Sequence, residues 1–275
     1  MLIDSHCHLD HFFYKKDLKK VIERAKKVGI KYILTNGIDY ETNLISIKLK
    51  EKYPDIIKIA LGFYPPDALD REYKEEVYLG VNSELSKKTI QDNIKLIEKN
   101  KDNIIAIGEI VLDMHNGKNI KQQLEYLKEM INLAIKLDKP IILHTRKAEQ
   151  ETLDLLEEYK NKIKAEKVIL HCFTAKTSLI EKAIKQGYTF SIPTNLIRSE
   201  SFQSLIKLCP LNQILTETDG PYLSPYKNKD NSFNRNEPAF IIESIKTIAK
   251  LKNIAEEQTE NQIFSNFQRI FNIQD

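Results

Sequence analysis

Short apolar runs alternate with longer polar segments about eight times along this chain, and that alternation restricts the fold more than any single motif. The candidate strands are Leu2 to His6, Tyr32 to Thr35, Ile56 to Leu61, Ile104 to Gly108, Ile141 to Leu143, Val168 to His171, Tyr188 to Ser191 and Gln213 to Thr216. Between them lie segments with helical spacing, such as Asn119 to Leu137, where Leu124, Leu127, Ile131 and Ala134 share one stripe. Two further helical segments, Pro238 to Leu251 and Ala255 to Phe271, follow the last strand. Repeated strand-and-helix units predict an α/β fold, a TIM (β/α)8 barrel built by residues 1–275 as one domain. An open, doubly wound sheet is the alternative architecture.

The same runs place residues able to bind metal at or just past their ends: His6 and His8, Glu109, His144, His171 and Asp219. In a barrel of this kind, functional groups come from the carboxyl ends of several strands. On an extended chain alternate side chains share a face, so His6 and His8 can address one ion while Cys7 points away. A single histidine after a strand is ordinarily structural. Four of them with two carboxylates, in separate units of similar design, predict a metal site.

Composition narrows the class. At 41% hydrophobic residues the chain can bury a sizeable core, and no run of eighteen apolar residues offers a membrane span. The amino terminus opens on a strand-like segment rather than a basic and then apolar signal region. Three cysteines without CxxC spacing, Cys7, Cys172 and Cys209, read as reduced residues of a cytoplasmic protein. The net charge of +3 does not by itself mark a nucleic-acid binder, so any attraction for phosphate is expected to be local. Lysine-rich stretches such as Lys15 to Lys20 read as solvated helix faces, and nothing points to a membrane or an obligate protein partner.

Taken in order, the motifs resemble the TatD family of metal-dependent deoxyribonucleases, a branch of the amidohydrolase-type metallohydrolases. The likeness runs through DSHCHLD at Asp4 to Asp10, AIGEIVLD at Ala106 to Asp113, KPIILHTR at Lys139 to Arg146 and HCFT at His171 to Thr174. It continues through TETDGPYLSP at Thr216 to Pro225 and RNEP at Arg235 to Pro238. The resemblance implies a TIM barrel that binds two divalent ions, Mg, Mn or Zn. It implies that His6, His8, Glu109 and Asp219 hold the more buried ion, and Glu109, His144 and His171 the second. It also implies DNA as substrate, as a single strand or at its ends, cut by a metal-activated water.

The chemistry of those roles can be argued from residue types. No lysine interrupts Asn103 to Glu109, so Glu109 is the natural bridge, one carboxylate oxygen to each ion. Asp219 can bind an ion and receive a proton as the reaction proceeds. Arg146, two residues past His144, offers a forked donor pair for phosphate. Arg235 is expected to extend that contact, with Lys176 and Arg198 weaker candidates. Tyr64 and Tyr222 are expected to stack against or hydrogen-bond a terminal nucleotide. His11 and His115 lie beside motifs without ligand spacing.

Two departures from the family pattern stand out. Members resembling this chain carry a histidine in a short GxHP motif after the third strand, where this sequence reads GFYP at Gly62 to Pro65, and TDGP replaces the commoner TDAP with little effect expected on Asp219. Three functions remain open at this point. The leading one is an exonucleolytic DNA phosphodiesterase. A deacylase or amidohydrolase on an ester or amide is the second, because activated water attacks carbonyl carbon as well as phosphorus. The third, drawn from Tyr64, is a non-catalytic, metal-stabilised partner-binding protein.

Overall fold

A computed structural model describes residues 1–66, 88–227 and 234–274. Eight parallel strands follow one another around a nearly closed barrel in sequence order: β1 (Leu2–Cys7), β2 (Ile30–Gly37), β3 (Ile57–Phe63), β4 (Ala106–Asp113), β5 (Ile141–Arg146), β6 (Val168–His171), β7 (Thr189–Pro193) and β8 (Ile214–Glu217). Their apolar side chains, Ile33, Ile57, Ile59, Leu61 and Ile107 among them, are fully buried. Strands covered on both faces need this continuous apolar character, which is why they read so plainly in the sequence.

Helices alternate with the strands: α1 (Leu18–Lys27), α2 (Tyr40–Lys52), α3 (Ile90–Lys99), α4 (Ile120–Leu137), α5 (Glu149–Glu158), α6 (Thr177–Gln186), α7 (Glu200–Leu208), α8 (Ile241–Lys252) and α9 (Glu256–Phe271). In α4 the expected stripe is present, with Leu127, Ile131 and Ala134 buried and Leu124 partly so. Asn119 caps it by accepting the Gln122 N–H at 3.2 Å, and Asp138 ends it in the left-handed region. Among the described residues no helix is long and apolar enough to cross a membrane.

Every expected strand is present, but β4 runs to Asp113 instead of stopping at Gly108. Glu109 therefore lies inside a strand, as does His144 in β5. Val111 and Leu112 prolong the apolar run beyond the charged residue, and all eight residues of β4 are buried. The register explains how a charge fits there. Ile107 pairs with Ile141 and Ile110 with Leu143, so three residues of β4 advance against two of β5, and the same offset separates β4 from β3. β1 has a like offset, from Asp4 opposite Ile33 to Cys7 opposite Thr35. An extra residue of this sort bends the strand and re-aims its side chain. His6 and Glu109 both lie in such offsets.

The barrel closes between β1 and β8 through mixed bonds. Ser5 Oγ donates to the Thr216 carbonyl at 2.9 Å, and Thr216 Oγ1 donates to that of Ile3 at 3.2 Å. At the carboxyl end the main chain takes over, with Asp219 N–H donating to His6 O at 2.9 Å and His8 N–H to Gly220 O at 2.8 Å. Helix α9 covers the seam from outside, where Asn266 Nδ2 donates to the carbonyls of Leu211 and Ile214, both at 2.8 Å.

Candidate metal centre

The six expected ligands, spread from residue 6 to residue 219, meet at the carboxyl end of the barrel. His6 Nε2 and His8 Nε2 stand 3.3 Å apart, and Glu109 Oε2 faces them at 3.2 and 3.4 Å. Asp219 Oδ1 lies 3.8 Å from His6 Nε2, 3.5 Å from His8 Nε2 and 3.8 Å from His171 Nε2. The other oxygen of Glu109, Oε1, faces His144 Nδ1 at 3.1 Å. Two overlapping sets result, His6 with His8 and Glu109, and Glu109 with His144 and His171, each with donor atoms within 4.8 Å of one another. A third grouping joins His6, His171 and Glu217. There the Glu217 carboxylate is engaged by His171 Nδ1 and by the Cys172 N–H.

Neighbouring acceptors set which nitrogen of each ring carries the proton. His8 Nδ1 lies 3.0 Å from the Asn36 carbonyl oxygen and His171 Nδ1 2.7 Å from Glu217 Oε2. Both contacts require an N–H at Nδ1, so in the neutral rings the Nε2 lone pairs face the carboxylates of Glu109 and Asp219. Lone pairs and anionic oxygens gathered this closely repel one another unless protons or cations stand among them. The donor set, imidazole nitrogens and carboxylate oxygens with an outer partner orienting the rings, fits divalent cations.

Protons and imidazolium charge serve the same end. Burial works against the Glu109 carboxylate, but His144, His6 and His8 outweigh it and hold the group well below its usual range. Asp219 is lowered likewise, burial again opposing, by His8 and His171. Burial also opposes charge on His171, yet Glu217, Asp219 and Glu109 raise it to about 9. His6 goes the other way, lowered by burial and by the charge of His171.

Local sequence explains the placement. A Cβ at Gly62 of β3 would lie 2.1 Å from the Glu109 carbonyl oxygen, so a side chain there would displace the β4 main chain at the site. Asp4, buried below the ligands, accepts the Thr218 N–H at 2.9 Å and the Thr218 hydroxyl, which fixes the turn that presents Asp219. Burial pushes the Asp4 carboxyl up to about 8 despite these bonds.

A cavity of about 410 Å³ opens onto the cluster, and Tyr64, Arg146 and Tyr222 help to line it. The Tyr64 hydroxyl donates to Asp113 Oδ2 at 2.9 Å, and Asp113 Oδ1 accepts the N–H groups of His115 and Asn116. The structure does not bring Arg235 to this cavity. Its guanidinium pairs with both oxygens of Asp17, at 2.7 and 2.8 Å, and donates to Phe13 O at 2.7 Å. A carboxylate on α1's capping residue is the nearer partner, and RNEP alone does not announce it. Arg198 holds the loop after β8 through the carbonyls of Ser224 and Pro225, and Lys176 is an exposed residue at the start of α6.

Sequence reasoning missed Glu217, Asn36, Asp4 and His11. Glu217 carried a signal, a carboxylate closing an apolar strand two residues before Asp219. Asn36 acts through its carbonyl, which no side-chain pattern reveals. His11 proves to be buried, with Nε2 3.2 Å from the Tyr222 hydroxyl.

Comparison with known proteins gives the family. The model of the TatD related DNase family matches residues 3–272. A human protein named Deoxyribonuclease TATDN3 is 34% identical over 278 residues, covering 98% of this chain and 94% of that protein. The uncharacterized metal-dependent hydrolase YabD of Bacillus subtilis is 31% identical, covering 99% of this chain and all (100%) of that protein. In structure, the TatD homologue YJJV of Escherichia coli superposes with a TM-score of 0.82 at 22% identity, covering 99% of this chain and 98% of the other, a likeness of fold. With the family model matching residues 3–272 and a relative 34% identical along 98% of this chain, the protein belongs to the TatD related DNase family.

Proposed function

We propose that this protein is a metal-dependent hydrolase of phosphodiester bonds in DNA, working inward from a strand end, with two divalent ions held as the ligand sets suggest. The observation that carries the reading is the split of the Glu109 carboxylate, Oε2 towards His6 and His8 and Oε1 towards His144, beside a cavity that Arg146 lines. Ions bound there would supply Lewis acidity, acidifying water and neutralising charge on the scissile phosphate and its leaving oxygen. The histidine-rich donor set leans towards Zn or Mn, while the carboxylates also admit Mg.

The chain's own groups do the rest. Arg146 offers charge-assisted hydrogen bonds to the phosphate at the cavity wall. Asp219, whose Oδ1 lies 3.5 Å from His8 Nε2 and 3.8 Å from His6 and His171 Nε2, would take the proton of the attacking water at that oxygen. Glu217 and Asn36 keep His171 and His8 turned towards the cavity. Tyr64 presents a ring and a hydroxyl held by Asp113 at the cavity wall. Among the described residues that line the cavity, Arg146 offers the cation that a phosphodiester, unlike an acyl chain, would engage. Three unpaired cysteines suit a reducing, cytoplasmic setting.

Degradation of end-labelled single-stranded DNA, with Mg2+, Mn2+ or Zn2+ and a chelator control, tests the reading. A metal-dependent ladder growing from one end is expected. Metal-loaded protein that leaves DNA intact and cleaves esters or amides instead would replace it with the acyl alternative.

A further inference from the structure

The turn that leaves β1 carries a run of aromatic rings outward from the cavity. Phe12 to Tyr14 form a short 3-10 turn, and the rings of His11, Phe12 and Phe13 pack against one another with centroids 4.3 to 4.8 Å apart. His11 accepts the Phe13 N–H at Nδ1, at 3.2 Å, which leaves Nε2 to carry its proton and donate to the Tyr222 hydroxyl oxygen at 3.2 Å. The Tyr222 ring meets His11 edge-on, with centroids 5.5 Å apart, and itself lines the cavity. One buried imidazole thus fastens the turn to the rim of the site.

The outer members of this cluster face solvent. Phe13 is 44% exposed and Tyr222 37%, and the two residues that follow the turn, Lys15 and Lys16, are exposed as well. The turn is also held from behind. Arg235 donates to the Phe13 carbonyl at 2.7 Å, pairs with Asp17, and places its guanidinium 5.0 Å from the Tyr14 ring centroid. Exposed rings on a braced main chain, next to ammonium groups and continuous with a phosphate-sized cavity, match the chemistry of a nucleic-acid strand with its bases unpaired. A duplex keeps those base faces stacked on one another.

We propose that Phe13 and Tyr222 form a shelf on which the unpaired bases beside the scissile bond stack, with Lys15 and Lys16 meeting the phosphates of the same strand. The proposal rests on the nuclease reading above and adds to it the surface that selects a single strand. Arg235 and His11 are positioning residues for this shelf, the first through the Phe13 carbonyl and the second through Tyr222.

Steady-state hydrolysis of a single-stranded oligodeoxynucleotide by the metal-loaded protein tests it, using wild type and Phe13→Ala, each on an intact strand and on one with an abasic residue beside the cleaved bond. Phe13→Ala should raise KM about fivefold or more on the intact strand, the scale of one lost base–aromatic stack, with kcat changed far less. The abasic strand should impose a similar KM increase on wild type and none further on the variant, and Phe13→Trp should retain the wild-type KM. Equal KM values for wild type and Phe13→Ala on intact DNA would overturn the shelf while leaving the nuclease reading in place, as would losses that simply add. A wild-type dimer that dissociates on Phe13→Ala would assign the rings to self-association and overturn it also. Wild type that hydrolyses no DNA would overturn both readings.

Discussion

Glu217 never reaches the cavity, yet the direction of His171 depends on it. Its Oε2 takes the Nδ1 proton at 2.7 Å and its Oε1 takes the Cys172 N–H at 3.1 Å, so one buried carboxylate sets both the tautomer and the turn after β6. Carboxylates that orient a metal-binding imidazole typically contribute 10–100-fold, as an order of magnitude, to metal affinity or activity. Glu217→Gln keeps the volume and one acceptor while removing the charge, so we expect metal affinity to fall by about tenfold with the fold intact. Calorimetric metal titration of the folded variant checks this, and an unchanged affinity would reduce Glu217 to packing. At this scale the sequence was legible where a candidate residue stands at or near the carboxyl end of a strand and brings its own side chain to the cluster, as His6, His8, His144, His171 and Asp219 do. It was not legible where a role depends on a distant partner, such as the 46 positions between His171 and Glu217. Arg235 illustrates the same limit, because a guanidinium reads as a phosphate ligand until Asp17 is found beside it.

The strands were readable as elements because both of their faces are buried, but the ends and offsets were not. A register offset is a relation between two strands, so the extra residue that lets Glu109 turn inward leaves no periodic mark within β4 itself. Gly62 and Gly220 show the other hidden constraint, the close approach of a neighbour. The glycine of TDGP, expected to matter little for Asp219, has a constraint of its own, because the Tyr14 hydroxyl would lie 2.4 Å from a Cβ on Gly220. That hydroxyl instead donates to the Asn236 carbonyl at 2.6 Å, which ties the first turn to the loop before α8. Gly220→Ala is therefore expected to destabilise the protein by about 1–3 kcal/mol, the range for overpacking a filled site. Adding Tyr14→Phe should recover part of the loss, because the clashing oxygen is gone. Denaturant melts of the two variants decide it: a Gly220→Ala protein as stable as wild type would show that the turn has room to spare.

Across the whole molecule, the candidate ligands come from β1, β4, β5, β6 and the turn after β8, so the centre ties together distant parts of the barrel, including its β1–β8 seam. The alternation of strands and helices was legible from the first residues to the last because it follows from burial alone. The convergence of the ligands could be expected only by assuming the barrel, since no local pattern brings residue 6 to residue 219. In the proposed function Glu109 joins two ions and hydrolysis depends on both. Metal content per chain, measured beside DNA turnover for wild type and Glu109→Ala, tests it most directly. Two ions are expected in wild type, with a loss of metal in the variant and no measurable turnover. A folded Glu109→Ala protein that retains two ions and full activity would contradict it.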